Sequence, residues 1–175
     1  MQNQAQPHCI IIMGVSGSGK TVIGKKIAAS LNYPFIEGDD LHPETNVDKM
    51  RQGIPLTDED RMPWLDRIVE AAKERLQADQ HCVVACSALK KAYRNRLREI
   101  GNVIFLYIHG DFGLMLDRMT RRKGHFMPQS LLKSQFDTLE EPDSSETDAL
   151  TIDNSGSPED TIEKALDALQ PFTRS

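Results

Sequence analysis

Near its start the chain runs CIIIMGVSGSGKT, Cys9 to Thr21. A short β-rich apolar stretch meets Gly14-x4-Gly19-Lys20-Thr21, which fits the phosphate-loop pattern G-x-x-x-x-G-K-S/T. Helical spacing follows from Val22 through Ile23, Ile27 and Leu31. A chain of 175 residues matches that pattern by accident with a probability on the order of 1%. The strand before the pattern and the helix after it lower the odds further. Such a strand–loop–helix unit constrains the rest of the fold, because its strand must be buried in a sheet and its helix must cover one face.

The spacing has a chemical reason. Glycines let backbone N–H groups turn inward around phosphate oxygens, and the helix N-terminus adds partial positive charge. Gly14, Val15, Ser16, Gly17, Ser18, Gly19, Lys20 and Thr21 are therefore expected to hold the phosphates of ATP. Lys20 reaches the β- and γ-phosphates, and the Thr21 hydroxyl is placed to ligate Mg²⁺.

Further short apolar runs predict strands at 33–36, 82–86, 103–109 and 149–153. Helical patterns lie between them. Pro63 is placed to open a helix carrying Trp64, Ile68, Ala72 and Leu76 on one face. Further helices are expected over 88–100 and from about Asp111, with Gly124 ending the latter and Pro128 starting another. At the far end Ser157 caps a helix with Pro158 first, Asp160 in its first turn, and Ile162, Ala165, Leu166 and Leu169 inward. Strands alternating with helices predict an α/β fold, a five-stranded parallel sheet covered on both faces, in one domain over 1–175. The first and second strands are expected side by side. The polar stretch 38–62 is expected to be a substrate-binding insertion.

Composition excludes several function classes. A net charge of −5 argues against general affinity for nucleic acid or anionic membrane. Apolar runs such as Cys9 to Met13 are too short to span a bilayer. MQNQAQPH has neither signal-peptide nor transit-peptide character, so a cytoplasmic location is expected. Cys9, Cys82 and Cys86 form no disulfide framework and no zinc set, and read as small buried groups in a reducing compartment.

A GTPase switch would carry a guanine-reading NKxD, which the chain lacks. A motor ATPase would place an acid after its third strand, where Ser87-Ala88-Leu89-Lys90 stands instead. The remaining class is an enzyme that presents ATP to a second small substrate. Glu37-Gly38-Asp39-Asp40 lies at the end of a strand, where doubly wound sheets gather ligands. Asp39 is the candidate base for an attacking hydroxyl. His42, Lys49, Arg51 and Arg61 offer donors in the segment that follows, and Ser87 and Lys90 lie close to the end of the third strand. Arg118, Arg121, Arg122 and Lys123 suit a helix C-terminus, where cations offset the dipole. They equally suit a lid that brings guanidinium groups to the charge of a transferring phosphoryl.

Together GVSGSGKT, EGDDLHPETNVDKMRQGIPLTDEDRMPWL, VVACSALKKAYRNRLR and RKGHFMPQSLLKSQFDTLEEP resemble the bacterial gluconokinases over about residues 9–153. The resemblance implies a P-loop kinase fold related to shikimate and adenylate kinases, with a small lid over about 118–137 and a homodimeric assembly. The implied reaction is ATP-dependent phosphorylation of D-gluconate at its 6-hydroxyl, in sugar-acid catabolism feeding the pentose phosphate or Entner–Doudoroff route. It sets the phosphates on Gly14 to Thr21, the acceptor hydroxyl against Asp39, and His42, Lys49 and Arg61 in the substrate segment. Arg118 and Arg122 match lid arginines that contact phosphate, with Lys20 and Asp39 the other catalytic positions. Gluconate needs a basic anchor for its carboxylate, and Arg61, Lys49 and Lys90 all remain open for it. Shikimate-kinase relatives resemble Asp-x-Asp where this chain has Glu37-x-Asp39.

Overall fold

A computed structural model describes residues 6–15, 17–121 and 129–173. The elements run β1 (Cys9–Met13), α1 (Lys20–Leu31), β2 (Phe35–Glu37), α2 (Glu44–Arg51), α3 (Asp58–Gln77), β3 (Cys82–Ala85) and α4 (Lys91–Leu97). They continue with β4 (Val103–His109), α5 (Phe112–Arg121), α6 (Gln129–Thr138), β5 (Ala149–Asp153) and α7 (Pro158–Thr173). The five strands form one parallel sheet in the order β2-β3-β1-β4-β5.

That order corrects one expectation: β3 lies between β1 and β2. Burial explains it. All residues of β1 and β3 are buried, whereas β2 is only half-buried and ends in a carboxylate. A strand apolar on both faces belongs inside a parallel sheet, and a short half-polar one belongs at its edge.

Alternate residues of β1 feed two cores. Cys9, Ile11 and Met13 pack with Trp64, Leu65, Ile68, Tyr93, Phe105 and Met115 on the face covered by α3 to α6. Ile10 and Ile12 pack with Ile23, Ile27, Val83, Leu106 and Leu169 beneath α1 and α7. The three cysteines are free and buried. Among the described residues no helix is long and apolar enough to cross a membrane.

Several element starts differ from the sequence expectation for local reasons. Helix α3 begins at Asp58, five residues before Pro63. Thr57 Oγ1 accepts the Asp60 N–H at 3.1 Å, and the Asp60 carboxylate accepts the Thr57 N–H at 2.9 Å. This reciprocal capping box starts a helix that tolerates the proline within it. Helix α4 begins only at Lys91, because Ala88 sits at φ 46° and cannot continue a right-handed turn from 88. Val22 is 43% exposed and turns away from the core that Ile23 and Ile27 enter. At the far end Ser157 and Asp160 cap α7 as expected, with the Asp160 N–H 3.1 Å from Ser157 Oγ. The turns expected at Gly124 and Pro128 lie outside the described residues.

Candidate active site

The phosphate loop is a backbone device. Gly17 and Gly19 sit at φ 84° and 82°, the left-handed region that favours glycine, and Gly19 is the residue from which α1 starts. No side chain caps α1, so its first N–H groups remain aimed at a ligand. Neighbouring elements hold the loop. The Gly14 N–H donates to the Ser87 carbonyl at 3.2 Å, and Ser18 Oγ donates to the Val15 carbonyl at 2.7 Å. Lys20 Nζ folds back across the loop to the same Val15 carbonyl at 3.0 Å. Ser16 lies outside the described residues.

Beside this loop opens a cavity of about 450 Å³ whose lining includes Lys20, Glu37, Asp39, His42, Arg61 and Ser87. Gly38 permits the turn that builds its acidic wall: a Cβ there would stand 2.2 Å from the Ala85 carbonyl. Glu37 accepts hydrogen bonds from the Thr21 hydroxyl and, at 3.3 Å, from the Asp39 N–H. Asp39 itself remains exposed at the cavity rim, its side chain 73% accessible.

The basic candidates separate sharply. Arg61 is 8% exposed on α3 and lines the cavity. Its Nη1 donates to the Tyr93 hydroxyl at 2.7 Å, and that hydroxyl donates to Asp58. Burial, with the Asp58 carboxylate, pushes the Tyr93 phenol up, so it stays protonated for both contacts. Lys49 and Lys90 do not line the cavity. Lys49 pairs with Asp60 at 2.8 Å and Lys90 with Asp58 at 3.0 Å, both acids in the first turn of α3. Arg51 is exposed at the end of α2.

Arg118 lies on the other side of the loop. Its Nη2 donates to the carbonyls of Asn154 and Gly156 at 2.9 and 3.2 Å. Together with Gly17, Gly19, Val22 and Pro158 it lines a second cavity of about 220 Å³. This explains the exposure of Val22. Arg121 is exposed and pairs with Asp117 at 3.3 Å along its own helix. Arg122 lies outside the described residues.

Comparison with known proteins gives one consistent answer. A family model described as shikimate kinase matches residues 16–170. The thermosensitive gluconokinase of Escherichia coli (strain K12) is 55% identical over 144 residues, 82% of this chain and 77% of that protein. The chain belongs to the gluconokinase family. A gluconokinase from Gluconobacter oxydans (strain 621H) is 48% identical over 138 residues, 78% of each chain. The crystal structure of a gluconokinase from Sinorhizobium meliloti 1021 superimposes with a TM-score of 0.84 at 45% identity, covering 97% of this chain and 95% of that one. The parallel sheet and its loop are thus those of a P-loop kinase.

Within this gluconokinase-family site, several partners gave no isolated signal in the sequence. Asn154, 1% exposed, donates to the Ser18 carbonyl at 2.9 Å and accepts from Thr161 Oγ1 at 2.8 Å, tying the loop to β5 and α7. Trp64 Nε1 donates to the Gly38 carbonyl at 2.7 Å and its ring stacks on His42 at 4.1 Å. Leu131, Ser134 and Gln135 of α6 close the first cavity from above. A buried Asn next to a strand end and a Trp at a core position are the hints available. Neither identifies its partner, because both partners are distant in sequence.

Proposed function

We propose that the protein transfers the γ-phosphoryl group of ATP to the 6-hydroxyl of D-gluconate, giving 6-phospho-D-gluconate and ADP. Gluconokinase relatives at 45–55% identity support the activity. The observation that carries the substrate assignment is one cavity lined by Asp39, Lys20 and a buried arginine, Arg61. A sugar acid has an alcohol at one end and a carboxylate at the other, so it needs a base and a cationic fork at opposite ends of its pocket.

In this reading Asp39 orients the 6-hydroxyl and accepts its proton as the oxygen attacks phosphorus and the bridging P–O bond to ADP breaks. Lys20 and the N–H groups of Gly14 to Thr21 stabilise the phosphate charge. Arg61 receives the gluconate carboxylate, while Lys49 and Lys90 hold the cavity's wall in place through α3. His42 and Ser87 meet hydroxyls along the sugar chain. Segment 38–62 is then the acceptor-binding segment, and 118–137 the lid within one catalytic unit. Arg118 helps form the nucleotide side of the loop, in the cavity it shares with Pro158. Arg122 is assigned to the transferring phosphoryl, so Arg122→Ala should lower kcat more than it weakens gluconate binding.

The contact between the Thr21 hydroxyl and the Glu37 carboxylate fits an oxygen-rich Mg²⁺ position. Thr21 would ligate the ion directly and Glu37 would hold its water; the ion would offset phosphate charge. By the family resemblance the protein works as a homodimer in the cytoplasm.

A coupled assay with ATP and a panel of aldonic acids tests the proposal. Gluconate should give the highest kcat/KM, and clear preference for another acid or polyol reassigns the pocket. ADP release indifferent to gluconate would instead indicate a regulator that hydrolyses ATP and transfers nothing.

A further inference from the structure

His42 lies inside the acceptor cavity with its side chain 4% exposed, held between groups that fix both its plane and its proton. Trp64 sets the plane, stacking on the imidazole with 15° between the rings. The proton is set by Asn46, a residue on α2 that is 2% exposed and has no place in the cavity lining. Asn46 Nδ2 stands 2.9 Å from the Asp60 carbonyl and 3.2 Å from His42 Nδ1.

A backbone carbonyl only accepts hydrogen bonds, so the amide must turn its NH₂ group toward Asp60. The flipped amide would set oxygen against oxygen in a buried site, which is costly. With one N–H on Asp60, the second N–H points to His42 Nδ1. That nitrogen must then be an acceptor. Burial pushes His42 down to about 4 against the opposing pull of Asp39, with Arg61 adding to the downward push. A neutral ring whose Nδ1 accepts carries its single proton on Nε2.

We propose that Asn46 is a positioning residue that locks His42 as the Nε2–H tautomer, so that an uncharged donor stands beside the Asp39 carboxylate in the acceptor cavity. His42 Nε2 lies 3.9 Å from Asp39 Oδ1, too far for a direct hydrogen bond. The pair is instead matched to one alcohol group: the hydroxyl oxygen accepts from Nε2–H while its proton is given to Asp39. The other tautomer would present two acceptors to a group with one proton, leaving a buried lone pair unpaired. The inference rests on the reading of this cavity as the alcohol site, and it adds the device that makes the site select a hydroxyl.

Two-bond ¹H–¹⁵N correlation spectra of the uniformly ¹⁵N-labelled full chain test it, with His42→Gln assigning the signal among the five histidines. At neutral pH, His42 should show a protonated Nε2 and a bare Nδ1. A protonated Nδ1, or a charged ring, overturns the proposal, and this measurement needs no variant of Asn46 to fold. In Asn46→Leu the second tautomer should appear, and kcat/KM for gluconate should fall about tenfold, the scale of one buried hydrogen bond, at unchanged KM for ATP. A folded Asn46→Leu that keeps a pure Nε2–H signal removes Asn46 from the role. Failure to phosphorylate gluconate with the expected spectrum intact would defeat the substrate assignment and leave the tautomer lock standing.

Discussion

The two halves of the site are built from different materials. The phosphate cradle is mostly main chain: left-handed glycines, an uncapped helix start, carbonyl braces from Ser87 and Val15, and the Asn154 side-chain amide donating to the Ser18 carbonyl. The acceptor cavity is side chain, assembled from β2, α2, α3, the loop after β3, and α6. The first depends on backbone conformation within one short segment. The second depends on which charges face inward, and that is decided by partners tens of residues away. A local loop therefore reads from sequence by pattern, whereas a pocket of side chains has to be resolved by its ion pairs.

The two halves share one support, and removing it carries the largest expected effect. Arg94 is fully buried and makes a forked pair with Glu146, at 2.7 and 2.8 Å. It also donates to the carbonyls of Ala88 and Leu89 at 2.9 and 3.3 Å, holding the turn after Ser87. Ser87 braces the cradle through Gly14 and lines the acceptor cavity. Glu146→Gln leaves a buried guanidinium without its counter-charge and should cost about 3–5 kcal/mol in urea unfolding. In the parent protein Arg94, with Arg98, holds the Glu146 carboxyl down to about 2. Since that lies below the unfolded value, the stabilisation is complete above about pH 4.5 and fades as pH falls toward 2. Unfolding midpoints measured between pH 6 and 3 should drop in the parent and drop less in Glu146→Gln. Equal slopes would remove the pair from its role as common support.

The next largest effect separates the halves. Asp39→Asn keeps the shape of the acidic wall and removes the proposed base, so turnover should fall at least about 10²-fold. Binding of a non-hydrolysable ATP analogue should stay within about twofold, because no part of the cradle uses the Asp39 carboxylate. A parallel loss of nucleotide affinity would show that cradle and cavity are one electrostatic unit. On the acceptor side alone, Arg61→Ala should raise KM for gluconate roughly 10- to 100-fold, the scale of charge-assisted hydrogen bonds. Arg61→Lys should recover little of that loss, because an ammonium cannot supply the fork that Tyr93 steadies.

Legibility follows the same division. The strand–loop–helix over Cys9–Leu31, the strands Val103–His109 and Ala149–Asp153, and the capped start of α7 were all evident from short-range pattern. The strand order is not legible from local pattern, because pairing depends on whole-strand burial: half-polar β2 takes the edge and fully buried β3 lies beside β1. The early start of α3 at Asp58 is hidden in the sequence, because Pro63 is a conspicuous helix opener and the T-x-x-D box at Thr57 is not. At the site, the cavity-lining Asp39, His42, Arg61 and Ser87 stand out in the sequence because they follow a strand or fall in the polar stretch 38–62. Asn46, Trp64, Tyr93 and Asn154 do not stand out, since each holds a residue distant in sequence by hydrogen bonds or stacking.

The smallest expected effect is the most discriminating for the acceptor half. Lys49, Lys90 and Arg61 are equivalent in sequence, three cations in or near one polar segment. In the folded chain the two lysines are 38% and 32% exposed and are each held by an acid at the start of α3. Pairs of that exposure contribute little, with much of the Coulomb gain screened by water. Lys90 has one further contact, standing 5.8 Å from the centre of the Tyr93 ring, so its loss reaches Arg61 only through Tyr93 and Asp58. Lys90→Ala and Lys49→Ala should therefore change KM for gluconate by no more than about threefold. Of the two, Lys90→Ala should be the larger, because Asp58 is shared with the tyrosine that steadies the arginine. A tenfold rise in either would mean that a lysine leaves its carboxylate when the sugar acid arrives, and that the cavity closes by exchanging ion pairs. The same assay on Arg61→Ala decides between the two, because a lysine that swings in to bind the carboxylate would leave that variant with a much smaller defect than a single fixed anchor predicts.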